Sequence, residues 1–212
     1  MTQLDQTTEM QTSDRRTRRR DARKAAILAA AWELARRDGL LGISLRDLAD
    51  KVDLAQPSLY SYFASKADLY DAMFAEGNRQ LIDEVLGEPF PHDAREALIE
   101  LLRRAVLFSS ADPVRHELLF QRPVPGFEPS AASYAVAKEF YRSGVAMMTA
   151  AGVTEQADVD LFTALAAGLS NQQVANDPGG DRWAVLAERA VDLFLAGVTR
   201  AAATTADKGD PS

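Results

Sequence analysis

The sequence contains no cysteine and only two histidines, His92 and His116. Without thiols there is neither a disulfide framework nor a thiolate metal site, which fits a reducing, cytoplasmic setting. His92 and Glu96 lie four residues apart on one helix face, but two ligands do not complete a zinc site. No metal and no cofactor is therefore expected. There is no Gly-rich phosphate loop, no nucleophile elbow and no tandem carboxylate pair in a recognisable arrangement. These absences argue against an enzyme. Uninterrupted apolar runs stop at Ala25 to Trp32, far short of the ~20 residues a spanning helix needs. The first residues are polar and lack the apolar stretch of a signal peptide. No membrane partner is expected.

What is present suits a globular protein. Hydrophobic residues make up 47% of the 212 and charged residues 26%, and a fold of this size buries about 70% of its unfolded surface. The net charge of −7 argues against nucleic acid until its distribution is read. Between Asp14 and Tyr70 there are 12 Lys and Arg against 8 Asp and Glu, a net of +4. The remainder carries 12 against 23, a net of −11. A basic end on an acidic body is the distribution of a small DNA-binding head on a separate domain.

The periodicity is helical throughout, with no competing strand pattern and no internal repeat. Residues 1–13 are polar and aperiodic and read as a disordered tail. A basic arm, Arg15 to Arg20 and then Arg23-Lys24, leads into a first helix from about Arg20 to Arg37, ended by Asp38-Gly39. Ser44 and Asp47 form an acidic capping box for a second helix; Leu45, Leu48 and Val52 mark its apolar side. Asp53 breaks the pattern, and Pro57 places a third helix at about Gln56 with Leu59 and Phe63 inward. Ser65 and Asp68 cap a long fourth helix carrying Leu69, Met73, Leu81 and Leu86. Five more are expected: Asp93 to Phe108, Asp112 to Phe120, Ala131 to Ala150, Glu155 to Val174 behind a Thr154 cap, and Asp181 to Ala202. The Pro-rich stretch Gln121 to Ser130 cannot be helical. The reading is thus an all-α chain of about nine helices, with a second tail over 204–212.

Two short helices joined by a tight turn, Ser44 to Phe63, form a helix-turn-helix. Turning Leu59 and Phe63 inward leaves Gln56, Pro57, Ser58 and Ser61 outward, a low profile of amide and hydroxyl groups suited to the major groove. A two-helix corner of an ordinary bundle would show the same spacing. Leu48-Ala49, Val52, the run Gln56-Pro-Ser-Leu-Tyr-Ser-Tyr-Phe63 and Ser65-Lys66-Ala-Asp-Leu69 together resemble the DNA-binding domain of the tetracycline-repressor (TetR) family. Two positions depart from the family pattern: Asp53 stands where glycine is usual, and Ala55 where a capping serine is usual.

The resemblance implies a ligand-responsive transcriptional regulator, most simply a repressor released from a palindromic DNA operator by an apolar small molecule. It places Arg46, Gln56, Pro57 and Ser58 at base edges, with the outward Ser61 beside them. Ser44, Tyr60, Tyr62 and Lys66 then hold phosphates, joined by Arg19 and Arg20 of the arm. Residues 14–64 form the DNA-binding domain and 65–203 the ligand-binding and dimerisation domain. The last two helices are apolar around more than one face, as central core helices or a dimer-forming pair would be. A homodimer through Leu161, Leu165, Gly168, Leu169, Gln172, Trp183, Val191, Phe194, Leu195 and Val198 is expected, in line with the resemblance. Phe108, His116, Phe120, Phe127, Tyr134, Phe140, Tyr141, Met147 and Phe162 are either core or the lining of an effector pocket; the resemblance favours the pocket. The alternative is a helical small-molecule-binding or interaction protein without sequence-specific DNA binding.

Overall fold

The computed structural model describes residues 3–207, with side chains from 15 to 198. Among the described residues there are nine α-helices and no strand. They are α1 (Gln3–Asp38), α2 (Leu45–Lys51), α3 (Gln56–Tyr60), α4 (Lys66–Leu86), α5 (Ala94–Ala111), α6 (Pro113–Phe120), α7 (Ala131–Ala150), α8 (Gln156–Asn176) and α9 (Ala187–Asp207). The caps expected of Ser44, Ser65 and Asp112 are made, and Asp93, expected as the first residue of its helix, caps α5. Their oxygens accept from the N–H groups of Asp47, Asp68, Glu96 and Arg115.

Two helices are longer than expected. α1 starts at Gln3 rather than near Arg20, so residues 3–13 are helical and not a tail. No glycine or proline interrupts Gln3 to Asp38, and nothing else in that stretch breaks a helix once it has started. α9 runs to Asp207; residues 1–2 and 208–212 lie outside the described residues. Two starts also differ. α8 is preceded by Glu155, not Thr154, and has no side-chain cap. The last helix begins at Ala187 after a 3-10 turn over Ala184–Leu186, not at Asp181. The reason lies in α8: the amide of Gln173, fully buried, accepts from Trp183 N–H at 2.8 Å and Ala184 N–H at 3.3 Å and donates to the Asp177 carbonyl. These N–H groups are satisfied from a distant helix, so Asp181 is not needed as a cap.

The chain divides into two compact units. One ends at Phe74 and also takes in Arg122–Pro129; the other comprises Ala75–Gln121 and the chain from Ser130. The boundary falls inside α4 rather than before it at 64/65. Leu69, Tyr70, Met73 and Phe74 are all buried, and the Tyr70 hydroxyl donates to Leu40 O at 2.5 Å. The first turns of α4 therefore complete the first unit.

In the first unit, Ile27, Ala30, Ala31, Leu34 and Ala35 of α1 are buried with Leu48, Ala49, Leu59 and Phe63. Alanines on α1 let the two short helices approach closely. In the second unit α5 is the hub, packing against α6, α7, α8, α9 and the 3-10 turn. Leu98, Leu102 and Val106 sit at its centre with Leu81, Val85, Val159, Phe162 and Val191. Arg104 closes the end of α4. It donates to the carbonyls of Val85 (3.1 Å), Glu88 (2.9 Å) and Pro89 (3.1 Å) while pairing with Glu100 at 2.6 Å. A cation at carbonyls left over by a helix C-terminus is favourable by charge and by hydrogen bonding.

Candidate nucleic-acid interface and companion sites

α3 is a short helix with two unlike sides. Leu59 and Phe63 are buried, while Gln56, Pro57, Ser58 and Ser61 are exposed. The expected division of inner and outer residues is present. The Ser61 hydroxyl donates to Ser58 O at 2.7 Å, leaving its oxygen to accept. Tyr60 is exposed and Tyr62 half-buried. Arg46 is exposed on α2. Ser44 accepts from Asp47 N–H, so its oxygen already serves the helix.

The turn before α3 has a defined hydrogen-bond pattern. Leu54 N–H donates to Ala49 O at 2.9 Å and Asp53 N–H to Asp50 O at 3.3 Å. These are the 6→1 and 5→2 bonds of a Schellman motif, with Asp53 at the left-handed position, φ +50°. A glycine would adopt that conformation without steric cost; aspartate is one of the few other residues that visits it. Ala55 precedes α3 and contributes no side-chain cap. Neither departure from the family pattern prevents the turn from forming.

The basic residues divide into two groups. Arg19 is exposed, as a phosphate-seeking arm requires. Arg20 instead turns back onto α3: its Nη2 donates to Ser61 O at 3.2 Å and its guanidinium lies 5.9 Å from the Tyr62 ring. Lys66 donates to Leu41 O at 2.9 Å and lies 5.5 Å from the Tyr70 ring. Burial pushes the Tyr70 phenol up to about 12, so it remains a neutral donor to Leu40 O. α4 thereby holds two successive carbonyls of the loop before α2. Arg23, expected with Lys24 as part of the basic arm, instead donates to Val52 O at 2.7 Å.

Residues 27–73 match the family model described as bacterial regulatory proteins, tetR family. The match spans the end of α1, the helix-turn-helix and the start of α4. It is 28% identical over 117 residues to the HTH-type transcriptional regulator Rv1816 of Mycobacterium tuberculosis (strain ATCC 25618 / H37Rv), covering 52% of this chain and 50% of that protein. The chain thus spans about half the length of the curated relatives it matches. A crystal structure of a tetR-family transcriptional regulator from Streptomyces coelicolor superposes with a TM-score of 0.67 at 20% identity, over 85% of this chain and 83% of that one. The multidrug binding protein EbrR, complexed with imidazole, gives 0.59 at 22% identity, over 81% and 94%. These likenesses show the tetR-type fold, all-helical with an amino-terminal helix-turn-helix, and the relatives are regulators rather than enzymes.

The residues expected to line a pocket differ in their exposure. Phe108 and Phe162 are buried. The Arg115 guanidinium stacks on Phe108 at 3.8 Å, and Phe162 packs on Phe194 at 5.1 Å. Phe140 and Met147 pack against the same core. Phe127 belongs to the first unit, 5.7 Å from Tyr70. The Pro-rich loop carries it there, and sequence order gave no sign of that return. Phe120, Tyr134 and Tyr141 are exposed. Tyr134 and Tyr141 instead border an open cleft of about 400 Å³ on α7 with Ala137, Lys138 and Arg142.

A polar cluster not foreseen from sequence surrounds His116. Its Nε2 hydrogen-bonds Asn171 Oδ1 at 2.9 Å, and that oxygen also accepts from Gln121 Nε2 at 2.7 Å. Nε2 therefore carries a proton towards Asn171 Oδ1, and Nδ1 is buried without a hydrogen-bond partner. Periodicity marks apolar faces and gives no signal for such a group.

The expected dimer residues also divide. Val191 and Phe194 are turned into the core of their own chain, because the wide apolar band of α9 serves α5 and α8 first. Leu165, Leu169, Trp183, Leu195 and Val198 are half-buried, and Gly168 and Gln172 exposed. Leu161 is 59% exposed and, outside the expected set, Leu193 is 68% exposed. Among the described residues no group of three or more His, Cys, Asp or Glu could hold a metal ion. No helix there is long and apolar enough to cross a membrane.

Proposed function

We propose that this chain is a tetR-family protein and a dimeric, ligand-responsive DNA-binding regulator, a repressor in its simplest form. The observation that carries the reading is α3 with the turn after it: Leu59 and Phe63 anchor the segment, and Gln56, Pro57, Ser58 and Ser61 remain outside. Gln pairs bidentately with adenine N6/N7, Arg46 suits guanine O6/N7, and small apolar surface suits thymine methyls. Arg19, Ser44, Tyr60, Tyr62 and Lys66 contact phosphates and set the register. Lys66 does so with the N–H groups its bond to Leu41 leaves over.

One short recognition helix binds weakly, so two are needed, presented by a homodimer through the exposed apolar parts of α8 and α9. Leu161 and Leu193 are the anchors of that contact. An apolar small molecule held in the second unit shifts α4, the helix common to both units, and changes the separation of the two recognition helices. EbrR, with the same fold, is described as multidrug binding, which supports an apolar drug-like effector as one class to test.

The test is a mobility shift of the purified protein on DNA upstream of its own coding region, combined with its mass in solution. A dimer that shifts this DNA at moderate salt and is released by an apolar compound is the expected result. A monomer indifferent to every fragment at low salt contradicts the reading.

A further inference from the structure

Three basic side chains on one face of α1, Arg20, Arg23 and Lys24, reach the α2–α3 region, and of these Arg23 alone is half-buried. Arg20, Arg23, Lys24 and the buried Ile27 follow helical spacing and share that face. Arg23 Nη2 donates to Val52 O at 2.7 Å and, more weakly, to Asp53 O at 3.4 Å. Arg20 Nη2 reaches Ser61 O at the far end of α3, and Lys24 lies 5.5 Å from the Phe63 ring. α3 therefore has a cation from α1 immediately before it and another immediately after it.

We propose that Arg23 is a positioning residue for DNA recognition, setting the direction of α3 through the turn carbonyls of Val52 and Asp53 rather than by touching DNA. This rests on the DNA-reading function proposed above. The turn is under-determined by its own residues. Asp53 occupies a left-handed conformation that glycine adopts more readily, and Ala55 offers no capping oxygen. A helix of five residues cannot maintain its own geometry, let alone its direction. Val52 and Asp53 are the two residues that follow α2, where the carbonyls of a helix end and the negative end of the helix dipole favour a cation. A charge-assisted bond there substitutes for the missing glycine and serine. Arg23 is half-buried, unlike the exposed arm residues Arg15 to Arg19, so its guanidinium is committed to the turn. A phosphate contact and a turn clamp make opposite predictions, because the first acts on every DNA and the second only on DNA that α3 reads.

The experiment uses a duplex selected by the wild-type protein from a random pool and a scrambled duplex of the same length, with affinities read by fluorescence anisotropy. Arg23→Ala is expected to weaken the selected duplex by about tenfold, the worth of one charged hydrogen bond, and the scrambled duplex by less than about twofold. Asp53→Gly, which relieves the left-handed position, is expected to restore most of the loss in the Arg23→Ala background. Should Arg23→Ala fail to fold by circular dichroism, Arg23→Lys keeps one donor. It is expected to give a smaller loss, still confined to the selected duplex and still recovered by Asp53→Gly. Equal losses on both duplexes, no loss on either, or no recovery by Asp53→Gly overturns the assignment. A wild-type protein that selects no sequence overturns the DNA-reading function itself and this role with it.

Discussion

Gln56, Pro57 and Ser58 owe their exposure to two other side chains. Leu59 and Phe63 are sunk into the first unit to 1% and 2% exposure, and a helix this short has no choice about what remains outside. Gln56 can offer an acceptor and a donor together, which is the pattern of adenine in the major groove. Gln56→Ala is expected to cost about 1–3 kcal/mol at one base-pair position of a half-site and little elsewhere; a scan of singly substituted duplexes measures it. Phe63 acts on stability. Phe63→Ala leaves a cavity beneath α3 and is expected to cost about 3–5 kcal/mol, seen as a lowered thermal midpoint. Gln56→Ala should leave that midpoint unchanged.

The helices differ in how far their limits could be read from the residues that form them. α2, α5 and α6 begin where Ser44, Asp93 and Asp112 stand, because each cap bonds an N–H only three residues away. α9 could not be placed in the same way. Its approach is organised by Gln173, a buried amide ten residues upstream of Trp183 that looks polar and unremarkable in sequence. The basic residues had the same difficulty. Arg19 and Arg20 are indistinguishable by type, and only a carbonyl 41 residues away decides that Arg20 turns inward. Exposure of the dimer residues was half legible: a wide apolar band is visible in α9, but not how α5 uses part of it.

A pH effect belongs to this level as well. Hydrogen bonds from Arg103 and then Arg104 hold the Glu100 carboxyl at about 2, against an ordinary value of 4.5. Its charged form is favoured by folding, so the contribution is present above pH 4.5 and is lost as pH falls towards 2. Arg104 also holds the carbonyls at the end of α4. Acid titration of the far-ultraviolet signal should therefore begin below pH 4.5, and Glu100→Gln should flatten that part of the curve.

For the whole molecule, charge and symmetry matter more than any one contact. The basic residues before Tyr70 face an otherwise acidic chain, which discourages non-specific wrapping of DNA while leaving phosphate contacts to the head. Affinity should fall steeply with salt, with a slope set by the number of phosphates neutralised by both protomers. Leu161→Glu combined with Leu193→Glu places carboxylates in the proposed contact between copies. The expected product is a folded monomer by sedimentation, with operator affinity lower by several orders of magnitude because two-site binding is lost.

The most direct test is the symmetry of the DNA the purified protein prefers. Sequencing the duplexes enriched from a random pool should return an inverted repeat whose half-site centres lie about one helical turn apart, roughly 34–36 Å, as expected for two α3 helices related by a two-fold axis. Enrichment of no sequence, or of a single unrepeated site, would contradict the account.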